Sequence, residues 1–279
     1  MDPRVNDFTI NIATANGTGS QSANLVILHS MYEMGVPVSG KNLFPSNISG
    51  LPTWFIIRAS DAGYQAPGDH THIQIMMNKD TWQKDLDKLD PGTVVIYNQD
   101  TKLPVDREDC ILLGMPMTKM ARKISPKMAK LMANMYYVGA LAHILKIDQE
   151  YIRKAISQQF GGKEKAIEWN MQAISEGREY AKENWDYESE YLVEEREKDP
   201  NSFLIEGNEA TGLGAIYGGI NMLSWYPITP SSSVAESIIG WIPKLREGDD
   251  GGVTCAVVQA EDELAAAGMV LGCLLYTSP

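Results

Sequence analysis

The chain has 279 residues, enough for two domains of ordinary size, each with its own core. Its 24 basic and 36 acidic side chains leave a net charge of −12, which argues against a nucleic-acid or anionic-membrane partner, since either needs a basic face. The run Lys119 to Lys130 is locally basic and reads as a solvated helix face. No apolar run approaches the roughly 20 residues that span a bilayer, and the N-terminus shows no signal-peptide stretch. The three cysteines, Cys110, Cys255 and Cys273, are widely spaced and form no C-x-x-C pair. Neither a disulfide framework nor an iron–sulfur cluster housed wholly in this chain is expected, and a reduced, cytoplasmic protein is the simplest reading.

Asp7 to Ala15 reads as a buried strand, followed by Asn16-Gly17-Thr18-Gly19-Ser20-Gln21 and an apolar-periodic helix from Ser22 to Met34. Strand, glycine turn and helix open nucleotide-binding α/β units, where amides at the helix N-terminus hold a phosphate. Position 22 is Ser where a third glycine would stand, so a tight turn without a ligand accounts for the spacing equally well. A turn-rich stretch covers Val36 to Trp54 and includes Gly40 to Ile48. Strands are expected over Thr53 to Arg58, His72 to Met77 and Thr93 to Tyr97, with a short helix over Thr81 to Leu89. His70 and His72 would share one side of a strand, but no cysteine or third histidine lies near, so no metal is expected there. Helices follow over Met128 to Leu145, over Glu150 to Phe160 with Asp148 as cap and Gly161-Gly162 as stop, and over Lys163 to Glu183. Met128, Met132 and Met135, at helical spacing, are expected to be helix core. Trp185 to Ser202 is dominated by Glu and Lys and reads as an interdomain linker, its acids forming a solvated face.

The second half begins with a small-residue helix over Asn208 to Leu223. In Tyr226-Pro227-Ile228-Thr229-Pro230 the two prolines remove two amide donors and exclude a helix interior or central strand, so the segment is a stiff loop presenting Thr229. Ser231, Ser232 and Ser233 are N-cap candidates for an amphipathic helix over Ser233 to Leu245. A turn over Glu247 to Gly252 leads to a strand over Val253 to Val258, which runs into Gln259-Ala260-Glu261-Asp262-Glu263 and a helix to Leu271. Carboxylates at the mouth of a strand are placed where open α/β sheets bind ligands, although acids also gather at helix N-termini for the dipole alone.

Gly207-Asn208-Glu209-Ala210, Tyr226-Pro-Ile-Thr-Pro230 and Gln259-Ala-Glu-Asp-Glu263 resemble the start of the pyrimidine-binding domain of 2-oxoacid:ferredoxin oxidoreductase alpha subunits, and Asn16 to Arg58 resembles the gamma domain fused in front of it in many members. The gamma glycine turn there reads G-x-G-G-Q; here Ser20 replaces one glycine and Gln21 is kept. The resemblance implies an α/β fold: a gamma-type domain over 1–184, a linker over 185–206, and the start of a thiamine-diphosphate pyrimidine-binding, transketolase-like domain over 207–272. Residues 273–279 depart from the family's small-residue pattern and are expected to be a non-native tail of a C-terminally truncated chain. It implies that Glu263 contacts the aminopyrimidine, that Thr229 lies against the thiazolium and substrate, that Tyr226, Pro227 and Ile228 wall the cofactor, and that Gly17, Gly19 and Gln21 handle coenzyme A. The implied reaction is oxidative decarboxylation of a 2-oxoacid, 2-oxoglutarate first, to its acyl-coenzyme A with electrons to ferredoxin. Magnesium and a [4Fe-4S] cluster are expected on a partner beta subunit, so this fragment alone is expected to be inactive. A non-catalytic nucleotide- or coenzyme-A-binding module and another thiamine-diphosphate enzyme remain the alternatives.

Overall fold

The computed structural model describes residues 3–44, 49–104, 106–248 and 251–277. Residues 45–48 of the expected turn-rich stretch, 249–250 of the expected turn and 278–279 of the expected tail lie outside them. The chain divides into two units, Met1–Ser202 and Phe203–Pro279.

The first unit opens with β1 (Arg4–Val5), β2 (Asp7–Ala15) and α1 (Ser20–Glu33), followed by β3 (Val38–Leu43), β4 (Pro52–Ser60) and β5 (Ile73–Met76). Then come α2 (Trp82–Leu86), β6 (Val94–Asn98), β7 (Ile111–Met115), α3 (Met117–Ile124), α4 (Ala129–Ile144), α5 (Gln149–Phe160), α6 (Glu164–Asn184) and β8 (Tyr191–Leu192). Six strands form one sheet in the order β3-β4-β2-β5-β6-β7. β2, β5, β6 and β7 run parallel, while β4 is antiparallel to both β2 and β3. All four residues of β5 are buried, as expected for a parallel strand with both faces covered.

Two strands of this sheet escaped the sequence reading. β3 lies inside the stretch read as turns, and it contains Gly40, which has no side chain to signal a strand. A Cβ at Gly40 would meet the Phe55 ring at 2.8 Å and Leu28 at 2.9 Å, so the glycine lets β3 pass under α1. β7 is short, and its Gly114 lies against the Gln99 side chain. The helices agree more closely: Asp148 caps α5 by accepting from Glu150 N at 2.8 Å, and Gly161 ends it in the left-handed conformation.

α4 is buried at nearly every position because α1, α3 and α6 pack around it. Its approach to α6 is close enough that a Cβ on Gly139 would collide with the Ile174 carbonyl oxygen, and one on Gly177 with that of Tyr136. Tyr137 is wholly buried and donates to Asn24 Oδ1 at 2.7 Å, which ties α4 to α1.

The stretch 185–206, expected as the linker, stays on the first unit as far as Ser202. Alternation explains this: Tyr191 and Val193 turn inward, at 5% and 3% exposure, while Glu194 faces solvent. β8 pairs in parallel with β1, Trp185 Nε1 donates to Gly114 O at 3.0 Å, and Val193 N donates to Leu145 O at 2.9 Å. The charges that suggested a solvated linker are in part clasps: Lys198 pairs with Glu33 at the end of α1, which Lys154 of α5 also meets, and Arg196 pairs with Asp61. Burial raises the Glu33 pKa, but hydrogen bonds from Lys154 and Lys198 outweigh it and hold the carboxyl below its ordinary value.

The second unit contains α7 (Gly207–Tyr217), β9 (Met222–Trp225), α8 (Ser231–Leu245), β10 (Ala256–Gln259) and α9 (Glu263–Thr277). The expected helix to Leu223 stops at Tyr217, because Gly218-Gly219 breaks it (φ +84° at Gly219) and frees Met222 to Trp225 to form a strand. The strand expected from Val253 begins at Ala256. Ile216, Ile238, Ile242 and Cys255 form this unit's core. Residues 273–277 continue α9.

Gly139→Ala forces backbone apart and is expected to cost about 3 kcal/mol or more, read as a lowered denaturation midpoint of the first unit. Because its folded pKa is lowered, Glu33 contributes stability that is present above its unfolded value, near the ordinary 4.5, and is lost as pH falls through the folded pKa. Glu33→Gln should therefore flatten the acid limb of the stability–pH curve below about pH 4.5, as followed by chemical denaturation.

Candidate active site

The sequence singles out two places, one in each unit. In the first, β2 ends at Ala15 and the chain turns through Gly17 (φ +77°) and Gly19 (φ +75°) into α1. Both positive φ angles require glycine or a strained residue. The turn is braced from two sides. Asn16 N donates to Leu51 O and Gly50 N to Asn16 O, both at 2.8 Å, while Asn134 Nδ2 on α4 donates to Thr18 O at 2.7 Å. A Cβ on Gly19 would meet Leu131 at 2.9 Å, so α4 packs directly against the turn. Ser20, which replaces the family glycine, is buried and its Oγ accepts from Thr14 Oγ1 at 2.9 Å, so this departure serves the strand-to-helix corner. Gly17 and Gln21 remain exposed. Of the two histidines, His70 is exposed and lies 2.7 Å from Asp90, and the Nδ1 of His72 accepts from Thr9 N at 2.9 Å.

In the second unit β9 and β10 pair in parallel, with Trp225 opposite Gln259, so both carboxyl ends emerge on one edge. Ala260 N donates to Trp225 O at 2.7 Å and extends that register by one step. The Tyr226–Pro230 loop leaves β9 there, and Glu261, Asp262 and Glu263 leave β10 there. The sheet therefore brings the proline loop and the acidic helix start to one edge, where open α/β sheets receive ligands.

The serines after the loop do not cap α8 as expected. Pro230 occupies the cap position, and Ser231 and Ser232 donate to Ile228 O at 2.8 and 3.2 Å, while Ser233 donates to Pro230 O at 2.9 Å. Carbonyls of a proline-stiffened loop that lack strand partners take up the hydroxyls instead. Asn208 in the first turn of α7 reaches the same loop, donating to Pro230 O at 3.1 Å and lying 2.6 Å from Ser233 Oγ. Sequence reasoning assigned Asn208 no role, because its partner loop lies about twenty residues further along the chain. The Thr229–Pro230 bond is cis. Thr229, Pro227 and Ile228 are exposed and Tyr226 is half-buried.

The three acids separate into roles. Asp262 Oδ1 accepts from Ala265 N at 2.7 Å and caps α9. Glu263 sits in the first turn of α9, exposed at the carboxyl edge, and Glu261 lies in the preceding loop. Glu263, Thr229 and Tyr226 thus leave the same carboxyl edge of the β9–β10 pair, the first two exposed and the third half-buried. Among the described residues no group of three or more His, Cys, Asp or Glu side chains is arranged to hold a metal.

Residues 9–180 match the family model described as pyruvate ferredoxin/flavodoxin oxidoreductase. The chain belongs to that family. Residues 213–276 match the thiamine diP-binding model of pyruvate flavodoxin/ferredoxin oxidoreductase, which covers the proline loop and Glu263. Among the family's curated members, the alpha subunit of 2-oxoacid:ferredoxin oxidoreductase 2 from Aeropyrum pernix is 26% identical over 319 residues, covering 95% of this chain and 49% of its own. A 2-oxoglutarate:ferredoxin oxidoreductase from Magnetococcus marinus, solved with 2-oxoglutarate, coenzyme A and succinyl-CoA bound, superposes with a TM-score of 0.81 at 29% identity, covering 96% of this chain and 46% of its own. The gamma subunit of a keto/oxoacid ferredoxin oxidoreductase from Geobacter sulfurreducens shares the fold over 62% of this chain and 98% of its own, at TM-score 0.52 and 16% identity. The chain spans about half the length of the curated relatives it matches (49% and 48%). Among the described residues no helix is long and apolar enough to cross a membrane.

Because Asp262 caps α9 while Glu263 does not, Asp262→Ala should cost about 1 kcal/mol of helix stability, measured as reduced amide protection in the first turn of α9.

Proposed function

We propose that this chain supplies the alpha-subunit half of a thiamine-diphosphate-dependent 2-oxoacid:ferredoxin oxidoreductase, which converts a 2-oxoacid and coenzyme A to acyl-coenzyme A and carbon dioxide with electrons passed singly to ferredoxin. The observation that carries this reading is the shared carboxyl edge of β9 and β10, where the Tyr226–Pro230 loop and Glu263 emerge together inside the segment matched by the thiamine-binding family model.

When bound, thiamine diphosphate supplies the electron sink that lets carbon dioxide leave a 2-oxoacid. Glu263 would hydrogen-bond the aminopyrimidine end of the cofactor, where a carboxyl partner supports the acid–base chemistry the cofactor would supply. Tyr226, Pro227 and Ile228 wall the ring and exclude water from one side. The Thr229 hydroxyl, presented on a loop tied by Asn208 and three serines, donates to the substrate carboxylate or to the oxygen on which negative charge develops. Glu263 stands in solvent within this unit, so a beta subunit closes over the edge and brings the diphosphate and magnesium site together with the [4Fe-4S] cluster. Gly17, Gly19 and Gln21 take part in handling coenzyme A, at the turn into the α1 N-terminus where Gly17 and Gln21 are exposed. 2-Oxoglutarate is the favoured substrate, on the strength of the Magnetococcus marinus relative's bound ligands. The thiamine-binding match over 213–276 favours this enzyme over a binding module without catalysis.

The full-length protein co-expressed with its partner subunit should reduce a low-potential dye when given 2-oxoglutarate, coenzyme A and thiamine diphosphate. Glu263→Gln should lower that rate at least about a hundredfold. Equal rates for the two proteins would leave Glu263 as a helix-start acid only, and no rate with any 2-oxoacid would remove the catalytic reading.

A further inference from the structure

The first unit contains a pocket of about 600 Å³ that neither the glycine turn nor the carboxyl-edge site uses. It lies on the sheet face formed by Asn11, Ile56 and Gln74. α1 packs on the opposite face, where Leu28 and the Phe55 ring meet at Gly40, because side chains alternate across a strand. The volume lies within the order of 300–1,000 Å³ typical of small-molecule sites.

Its lining has two parts. Leu43, Trp54 and Ile56 supply an apolar wall, and the Trp54 ring is held in place by a buried carboxylate: Nε1 donates to Asp85 Oδ1 at 2.9 Å, and Thr81 Oγ1 donates to Asp85 Oδ2 at 2.7 Å. Both oxygens of Asp85 are thereby engaged within the protein. The remaining charges are at the mouth. Lys84 and Lys88, on α2 and the turn after it, are exposed, and neither is in an ion pair among the described residues. Asp69, also exposed, faces the same pocket from a loop anchored by the neighbouring His70–Asp90 contact at 2.7 Å.

We infer that this pocket binds an α-amino acid with a bulky apolar side chain, its carboxylate on Lys84 and Lys88, its ammonium on Asp69 and its side chain against Trp54, Ile56 and Leu43. The charge pattern selects the class. A plain anion would leave Asp69 facing like charge, a plain cation would meet two lysines, and an uncharged apolar ligand would leave all three without a partner. A zwitterion satisfies both signs. The inference is independent of the thiamine chemistry, because it concerns binding to the first unit alone.

Calorimetric titration of the full 279-residue chain with L-phenylalanine tests it, alongside 3-phenylpropionate, which lacks the ammonium, and phenethylamine, which lacks the carboxylate. L-Phenylalanine should bind saturably at one site, and each analogue should bind about tenfold more weakly. Lys88→Gln and Asp69→Asn, both at exposed positions that leave the fold intact, should each weaken L-phenylalanine by about the same factor. The assignment is overturned if L-phenylalanine gives no saturable heat, if 3-phenylpropionate binds as tightly, or if both variants bind like the parent. Loss of binding on addition of the partner subunit, with a matching gain in complex formation that Lys88→Gln removes, would identify the face as a protein interface and equally overturn it.

Discussion

Parallel pairing of neighbouring strands is the constraint from which the site arises. Two parallel strands cannot be joined by a tight turn, so each pair needs a crossover, and crossovers send successive carboxyl ends out on the same edge. In the second unit this places the loop after Trp225 beside the acidic helix start after Gln259, although the two residues are far apart along the chain. The same rule in the first unit brings the ends of β2, β5, β6 and β7 to one edge and puts the glycine turn at its rim. A proline loop and an acidic helix start would otherwise be unrelated surface features.

Close backbone approach is the second recurring device. α4 reaches α6 only because Gly139 and Gly177 lack side chains, and it reaches the glycine turn only because Gly19 does. In the second unit Gly212 plays the same part, since a Cβ there would meet Ser237 Oγ at 2.8 Å and bring α7 against α8 too tightly. These glycines convert helix packing into placement: α4 carries Asn134 to the Thr18 carbonyl, and α7 carries Asn208 to the proline loop.

Charge is used sparingly and locally in a chain of net charge −12. Arg58 pairs with Asp7 and Arg196 with Asp61, and Glu33 takes two lysines, one of them from the segment after α6. Exposed pairs of this kind contribute little singly. Two of them, Arg196–Asp61 and Lys198–Glu33, tie residues 185–202 to the first unit, while Tyr191 and Val193 supply the burial. A stretch that composition assigns to solvent thus becomes a strap, and composition cannot reveal it, since the inward residues are only two among many charges.

The α/β class, the bounds of β2, the capped and glycine-stopped α5, the proline loop and the acidic helix start are legible in the residues alone, because each is written in local periodicity, a cap or a missing amide donor. Motif resemblance carried the family, which the family models then bore out over 9–180 and 213–276. Tertiary structure decided the rest. β3 and β7 form because neighbouring strands offer hydrogen bonds that outweigh their weak local preference, and β9 emerges from an apparent helix once Gly218-Gly219 breaks it and β10 stands ready to pair. The serines turned from cap to loop brace, and Asp262 rather than Glu263 took the cap, because those choices depend on which carbonyls and amides the fold leaves without partners. Such accounting involves residues distant in sequence, and only the assembled backbone sets it.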